Sequence, residues 1–259
     1  MRLRRHDLER AAAEILDLQV YTLWANELPP GHWRRGDTAM CLRCAGDADY
    51  RELIGPRWTG RGACVVISLD VLRAEAEAFQ AAWPRVGTRE RFRCVLLSTF
   101  AHELTHVVRD CIVPRRDAPV PPPTDRLRRM HEALADAGVA DSLALGGSVP
   151  FRGHDAQFLR TTAHIAYRIA ESLGHPFHLL FYTEAISLSP SWHYLVALDD
   201  EPARLRHVPL TEIDDHDPPE AFRHLWCHDV RRWWRRLDSP TDAQTQAMIR
   251  GVTLFPVTL

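Results

Sequence analysis

Apolar residues recur along most of the chain with the three- to four-residue spacing of a helix. The first such pattern covers residues 5–27, where Leu8, Ala11, Ile15 and Leu18 fall on one face, and it predicts an N-terminal helix. Helix start and stop signals predict further helices over residues 70–83, 89–109, 125–138, 154–173 and 219–237.

One segment has the composition of a strand. Residues 63–69 form a β-branched run bounded by Gly62 and Asp70, which predicts a strand. Residues 29–62 are rich in Pro, Gly, Trp and Cys and are predicted to be irregular. These patterns together predict an α+β fold that is mainly helical and has a small β-sheet.

The length of 259 residues fits a single domain, residues 1–259. We expect its core over about residues 60–175, with the N-terminal helix and a helical C-terminal extension, residues 176–259, packed on it. The chain is 46% hydrophobic and 25% charged with a formal charge of −2, which gives no general attraction to nucleic acid or membranes. It contains no lysine, which excludes Schiff-base chemistry and a phosphate-loop lysine.

The location predicted from the sequence is cytoplasmic. No stretch approaches the roughly 18 apolar residues of a membrane span, and the N-terminus lacks the apolar core of a secretory signal. The six cysteines are therefore expected to be reduced.

The clearest chemical motif is His102-Glu103-Leu104-Thr105-His106, an HExxH segment at the end of an apolar run. Residues four apart lie on one face of a helix, so both imidazoles can reach one metal ion. Glu103 lies beside them, where a carboxylate can take a proton from water at the metal. With 14 histidines in the chain, an HxxxH pair is expected by chance roughly once, but the adjoining Glu lowers that expectation to roughly one in twenty-five.

A catalytic zinc ion needs three protein ligands and one open position. One candidate for the third ligand is Glu132, which Asp136 follows four residues later. This pair resembles the glutamate helix of thermolysin-like gluzincins, in which Glu binds zinc and Asp supports a zinc histidine. The other candidate is His154 in the segment Gly153-His154-Asp155-Ala156-Gln157-Phe158. That segment resembles the HGxxF motif of the SprT-like zinc metallopeptidases, the Spartan group.

The resemblance to the SprT-like family extends over roughly residues 60–170, because in that family a strand also precedes the HExxH helix. It implies a zincin-like metallopeptidase that binds Zn²⁺ and cleaves a protein or peptide substrate. It further implies that His102, His106 and His154 are the zinc ligands and that Glu103 is the general base. On this interpretation Glu132 or Asp136 accepts the outer ring N–H of a zinc histidine. The family's action on DNA-bound proteins makes DNA association a further expectation.

Two alternative functions stay open at this point. The chain could be a non-hydrolytic, zinc-stabilised DNA-associated binding protein, or a gluzincin-type peptidase with Glu132 as ligand.

The basic and aromatic residues 231–236 suit single-stranded nucleic acid. However, four apolar residues there have the spacing of a stripe that faces a protein core: Trp226, Val230, Trp233 and Leu237.

Two further features carry expectations. Cys41 and Cys44 have metal-ligand spacing, and a second metal site with His224, Cys227 and His228 is an alternative to plain buried thiols. The edge of the predicted strand 63–69 is expected to align an extended substrate by strand addition.

Overall fold

The computed structural model of the protein describes residues 3–29, 33, 38–42, 47–81, 83–109, 156–176 and 191–225. Several predicted features lie outside these residues: Glu132, Asp136, His154, Cys44, Cys227, His228 and the basic segment 231–236. Within the described ranges, no helix has the length and apolar character needed to cross a membrane.

The described residues are mostly helical, with one small sheet. The three strands are β1 (Val20–Trp24), β2 (Ala39–Leu42) and β3 (Ala63–Ile67). The helices are α1 (Arg5–Leu16), α2 (Asp47–Ile54), α3 (Leu69–Ala78), α4 (Thr88–Val107), α5 (Ala156–Ser172), α6 (Ser191–Ala197) and α7 (Glu201–Arg204). Short 3₁₀ turns cover Ala25–Glu27, Gly55–Arg57 and Leu210–Asp215, and residues 220–225 are helical. The α+β prediction is therefore confirmed.

The predicted first helix over residues 5–27 is wrong beyond Leu16. Asp17 adopts a left-handed conformation with φ 49°, which ends α1. The next residues are β-branched or aromatic, and they form β1 because they pair in parallel with β3. Gly62, with φ +130°, permits this pairing, since a Cβ there would collide with the carbonyl oxygen of Gln19.

The sheet has the order β1-β3-β2, with β2 antiparallel to β3. The strand predicted over residues 63–69 is confirmed for Ala63–Ile67, and Ser68 then caps α3. The prediction that residues 29–62 are irregular is wrong in part, because β2 and α2 form there. Since β3 pairs along both of its edges, the expected addition of a substrate strand to β3 is also wrong.

Alternating side chains of the sheet enter two apolar clusters. Val65 and Ile67 face the main cluster with α1, α3, α4 and α5. Cys64 and Val66 face a smaller cluster, which Tyr50 and other residues of the 47–58 segment cover. The main cluster extends from Leu8 in α1 to Phe222, so the described C-terminal residues share a core with the HExxH helix.

Helix α4 lies at the centre of this core. Its residues 94–101 are all buried, as is usual for a helix covered on every side. Helix α5 packs along it and ends as predicted at Gly174, which has φ +59°. There the N–H of His175 donates to the carbonyl of Ala170 at 2.7 Å and the N–H of Gly174 to that of Glu171 at 3.0 Å, a Schellman ending.

Candidate metal centre

The two histidines of the HExxH segment lie side by side on α4. The ring centroids of His102 and His106 are 5.1 Å apart, with the ring planes inclined at 77°. Two imidazoles bound to one zinc ion have ring centroids about 5 Å apart. This separation follows from a Zn–N bond of about 2.0–2.1 Å, the distance from the nitrogen to the ring centre, and the tetrahedral angle at the metal. Both side chains are only half-buried, so solvent can reach the pair. A catalytic zinc site has this property, because it binds imidazole nitrogens and keeps one position open to water.

Glu103 is more deeply placed than the histidines that flank it. Its residue exposure is 7%, which withdraws the carboxylate from bulk water. The helical rotation between neighbouring residues accounts for this difference, since Glu103 follows His102 by about 100° around α4. The site therefore combines two accessible imidazoles with one sheltered carboxylate.

Phe158 connects the two histidines to helix α5. Its ring centroid lies 5.1 Å from that of His102 and 4.7 Å from that of His106. The rings meet at 65° and 52°, the inclined geometry that aromatic pairs prefer. Phe158 thus restrains both imidazoles. The sequence carried a signal for this contact, because Phe158 is the last residue of the segment that resembles HGxxF.

A buried pair of hydroxyl groups joins α4 to α5 next to the site. The Oγ1 atoms of Thr105 and Thr162 are 2.9 Å apart. Both residues are buried, with exposures of 0% and 4%. Sequence reasoning did not find this pair, because the two threonines are 57 residues apart and neither belongs to a motif position.

A polar network on α5 anchors the segment that contains Glu201 and His216. The guanidinium of Arg160 donates to Glu201 through Nη2 at 2.7 Å and through Nε at 3.1 Å. Its Nη2 also donates to the carbonyl of His216 at 2.8 Å. The ring Nε2 of His164 lies 3.4 Å from the Glu201 carboxylate. Burial lowers the pKa of His164, although Glu201 opposes that shift, so the imidazole is neutral near pH 7.

Three other histidine and tyrosine side chains of the described residues are either buried against other partners or exposed. His164 is fully buried against Glu201, and Tyr194 is 1% exposed with its ring 5.5 Å from that of Phe222. His193 is exposed.

The second metal site, which the sequence offered as an alternative to plain buried thiols, is only partly described. His224 has a side chain that is 70% exposed and lies 3.6 Å from Glu220, and Cys41 belongs to the edge strand β2. In the part of the chain that the structure describes, no three His, Cys, Asp or Glu side chains form a group that could hold a metal ion. Burial raises the pKa of Cys64 and of Cys94 to about 12, so neither thiol ionises near pH 7.

Comparison of the chain with protein-family models, with curated proteins and with solved structures finds no significant match. What the site does is therefore inferred from its own residues and their geometry.

Proposed function

We propose that the protein is a zinc-dependent metallopeptidase. The observation that carries the proposal is the placement of His102 and His106, whose rings lie 5.1 Å apart on one face of α4. Imidazole nitrogens suit zinc among the common metals, and the buried Glu103 adjoins the pair. Two ligands and a sheltered base are the parts that an HExxH hydrolase needs from one helix.

The third ligand in this proposal is His154. It lies outside the described residues, but it precedes Phe158 by four positions. Phe158 itself contacts both HExxH rings. The short sequence distance between His154 and Phe158 thus supports His154.

A zinc ion held by these residues would supply a Lewis acid and would lower the pKa of water toward neutrality. Glu103 accepts a proton from the water that attacks the peptide carbonyl, and it then donates this proton to the leaving nitrogen. Phe158 keeps the two imidazoles from rotating away from their ligating orientation. Both histidines are half-buried, so solvent can reach them.

Metal analysis of the purified protein tests the proposed ligands. After reconstitution with zinc, the wild type is expected to hold one zinc ion at this site, and His102→Ala, His106→Ala and His154→Ala are expected to lose it. His193→Ala is the matched control, because His193 is an exposed histidine. Loss of zinc in Glu132→Ala with retention in His154→Ala would instead support the gluzincin-type arrangement. A wild type that binds no zinc would contradict the proposal.

The Glu103→Gln variant tests hydrolysis separately from metal binding. It is expected to retain zinc and to lose hydrolysis of an unfolded protein such as casein by about 10²–10⁴-fold, since the proton acceptor is removed. Equal hydrolysis by the wild type and Glu103→Gln would rule out Glu103 as the base. A zinc-loaded wild type that cleaves no peptide would favour the non-hydrolytic binding protein.

A further inference from the structure

The hydroxyl groups of Thr105 and Thr162 form one connected set of polar contacts at the α4–α5 interface. Thr105 Oγ1 lies 2.8 Å from the carbonyl oxygen of Ala101, one turn earlier on α4. Thr162 Oγ1 lies 2.9 Å from the carbonyl oxygen of Phe158, one turn earlier on α5. The two hydroxyl oxygens are 2.9 Å apart, so the set links one helical turn of α4 to one helical turn of α5.

The hydrogen bond between the two threonine hydroxyl groups is directional. Its donor can be narrowed by counting the available protons. The three short contacts share two hydroxyl protons, because each threonine donates once. One hydroxyl must therefore donate across the interface, while the other donates to its own helix. Either arrangement leaves the two oxygens within hydrogen-bond distance only over a narrow range of helix positions.

The apolar side chains beside the pair do not have this property. Ala101 and Leu104 on α4, and Ala163 and Ala166 on α5, are buried residues of the same apolar cluster. Apolar burial is non-directional, so these residues stabilise the helix pair over a range of small shifts. The threonine pair is therefore a feature of this interface that selects one register.

The turns that the pair joins are those of the candidate site. Thr105 directly precedes His106, and the carbonyl partner of Thr162 belongs to Phe158. The Phe158 ring in turn contacts the rings of both His102 and His106. A shift of α5 against α4 would move Phe158 relative to both imidazoles.

We propose that Thr105 and Thr162 are positioning residues that fix the register of α5 against the HExxH helix. The importance of this register for the metal site rests on the proposed function, because the register places Phe158 on the histidines that would hold the metal. The pair touches neither substrate nor metal and acts through Phe158.

The test uses the full chain and three substitutions. Thr162→Val removes the hydroxyl and keeps the branched shape, while Thr162→Ser restores the hydroxyl. Thr99→Val is the matched control, because Thr99 is also a buried threonine of α4, with 5% exposure, and its hydroxyl has no partner among the described residues. The first measurement is the NMR chemical shifts of the His102 and His106 ring protons without metal, where the Phe158 ring current acts directly.

Thr162→Val is expected to shift the ring signals of both histidines, and Thr162→Ser and Thr99→Val are expected to leave them close to wild type. A second measurement, zinc affinity by competition with a chromophoric chelator, is expected to fall about tenfold in Thr162→Val alone. If Thr162→Val fails to fold, Thr162→Ser decides the question. His102 and His106 ring-proton signals that are shifted in Thr162→Ser, although its hydroxyl is present, would overturn the proposal.

Wild-type ring signals in a folded Thr162→Val would overturn it as well, whatever the zinc affinity. The proposed function fails on a different result, which is the absence of zinc binding by the wild type. In that case, shifted ring signals in Thr162→Val would still establish the register role without a metal site.

Discussion

Glu9 Oε1 on α1 accepts the backbone N–H of Thr22 in β1 at 2.7 Å. The same oxygen accepts Nη1 of Arg57 at 3.0 Å. The backbone N–H of Ala63 donates to the carbonyl of Gln19. The backbone groups of residues 19, 21 and 23 therefore point toward β3, and those of Thr22 and Trp24 point to the outer edge of β1. Glu27 accepts the N–H of Trp24 at 3.0 Å. Side chains therefore cap the outer edge of β1, which reduces its capacity to pair with another chain.

Removing these caps is expected to open the β1 edge. In the double variant Glu9→Ala, Glu27→Ala, the amides of Thr22 and Trp24 lose their acceptors, so their hydrogen exchange is expected to become about tenfold faster. Self-association is expected to rise with protein concentration, measured by light scattering after size-exclusion chromatography. The control is Glu9→Gln, Glu27→Gln, which keeps an acceptor oxygen at each position. Unchanged exchange in the alanine variant would show that the carboxylates do not protect this edge.

The Arg160–Glu201 pair is expected to be strongly coupled. The side chains are 4% and 0% exposed, so Arg160→Met leaves a buried carboxylate without its main partner. That substitution is expected to lower the free energy of unfolding by about 3–5 kcal/mol. The double variant Arg160→Met, Glu201→Leu removes both charges and is expected to be more stable than Arg160→Met alone. Urea denaturation measures both values, and additive losses would contradict the coupling.

His164 and Glu201 are expected to make the protein less stable in acid. Burial lowers the folded-state pKa of His164 below 6.5, despite Glu201, while Arg168 and Arg160 add to the lowering. The unfolded chain therefore binds the proton more readily, and stability falls as the pH drops below about 6.5. Burial opposes ionisation of Glu201, but hydrogen bonds from His164 and Arg160 outweigh it and lower the pKa of Glu201 below 4.5. Its contribution is present above pH 4.5 and is lost as the pH falls through the folded-state pKa.

Urea denaturation at pH 7.5, 6.5 and 5.5 checks the histidine part of this prediction. The wild type is expected to lose stability over this range, and His164→Gln is expected to lose less. His193→Gln provides the control, since His193 is exposed. A wild type and a His164→Gln variant with parallel pH profiles would exclude His164 as the source.

The sequence predicted those elements whose determinants are local. The apolar period predicted α4 to within two residues at each end, and Gly174 predicted the end of α5. The first helix was predicted too long because its apolar spacing continues past Asp17, whereas β1 forms through pairing with β3, more than 40 positions away in the chain. The HExxH spacing predicted that His102 and His106 lie on one face of a helix, and their rings are adjacent in the structure.

Contacts between segments that are far apart in the chain could not be predicted from local sequence patterns. Nothing in the order of residues indicates that Thr105 meets Thr162, or that Glu9 accepts from Thr22, because each contact depends on how the helices pack. The predicted ligand His154 and the alternatives Glu132 and Asp136 stay predictions, since they lie outside the described residues.

Gly62 is expected to be indispensable for the joining of β1 to β3. Its φ of +130° is unfavourable for any residue with a side chain, and an added Cβ would strike the carbonyl oxygen of Gln19. That carbonyl cannot move freely, because it accepts the N–H of Ala63 at 3.0 Å. Gly62→Ala is therefore expected to lower the free energy of unfolding by about 3 kcal/mol or more, from backbone strain and overpacking together.

Gly174→Ala separates the two causes. Gly174 also has a positive φ, +59°, but an added Cβ there meets nothing within 4 Å. Its substitution is expected to cost only the left-handed backbone penalty, about 1 kcal/mol. Urea denaturation of both variants measures the difference. Equal losses would mean that the sheet accommodates a side chain at residue 62, and that the close approach of Gln19 to Gly62 does not restrict the β1–β3 pairing.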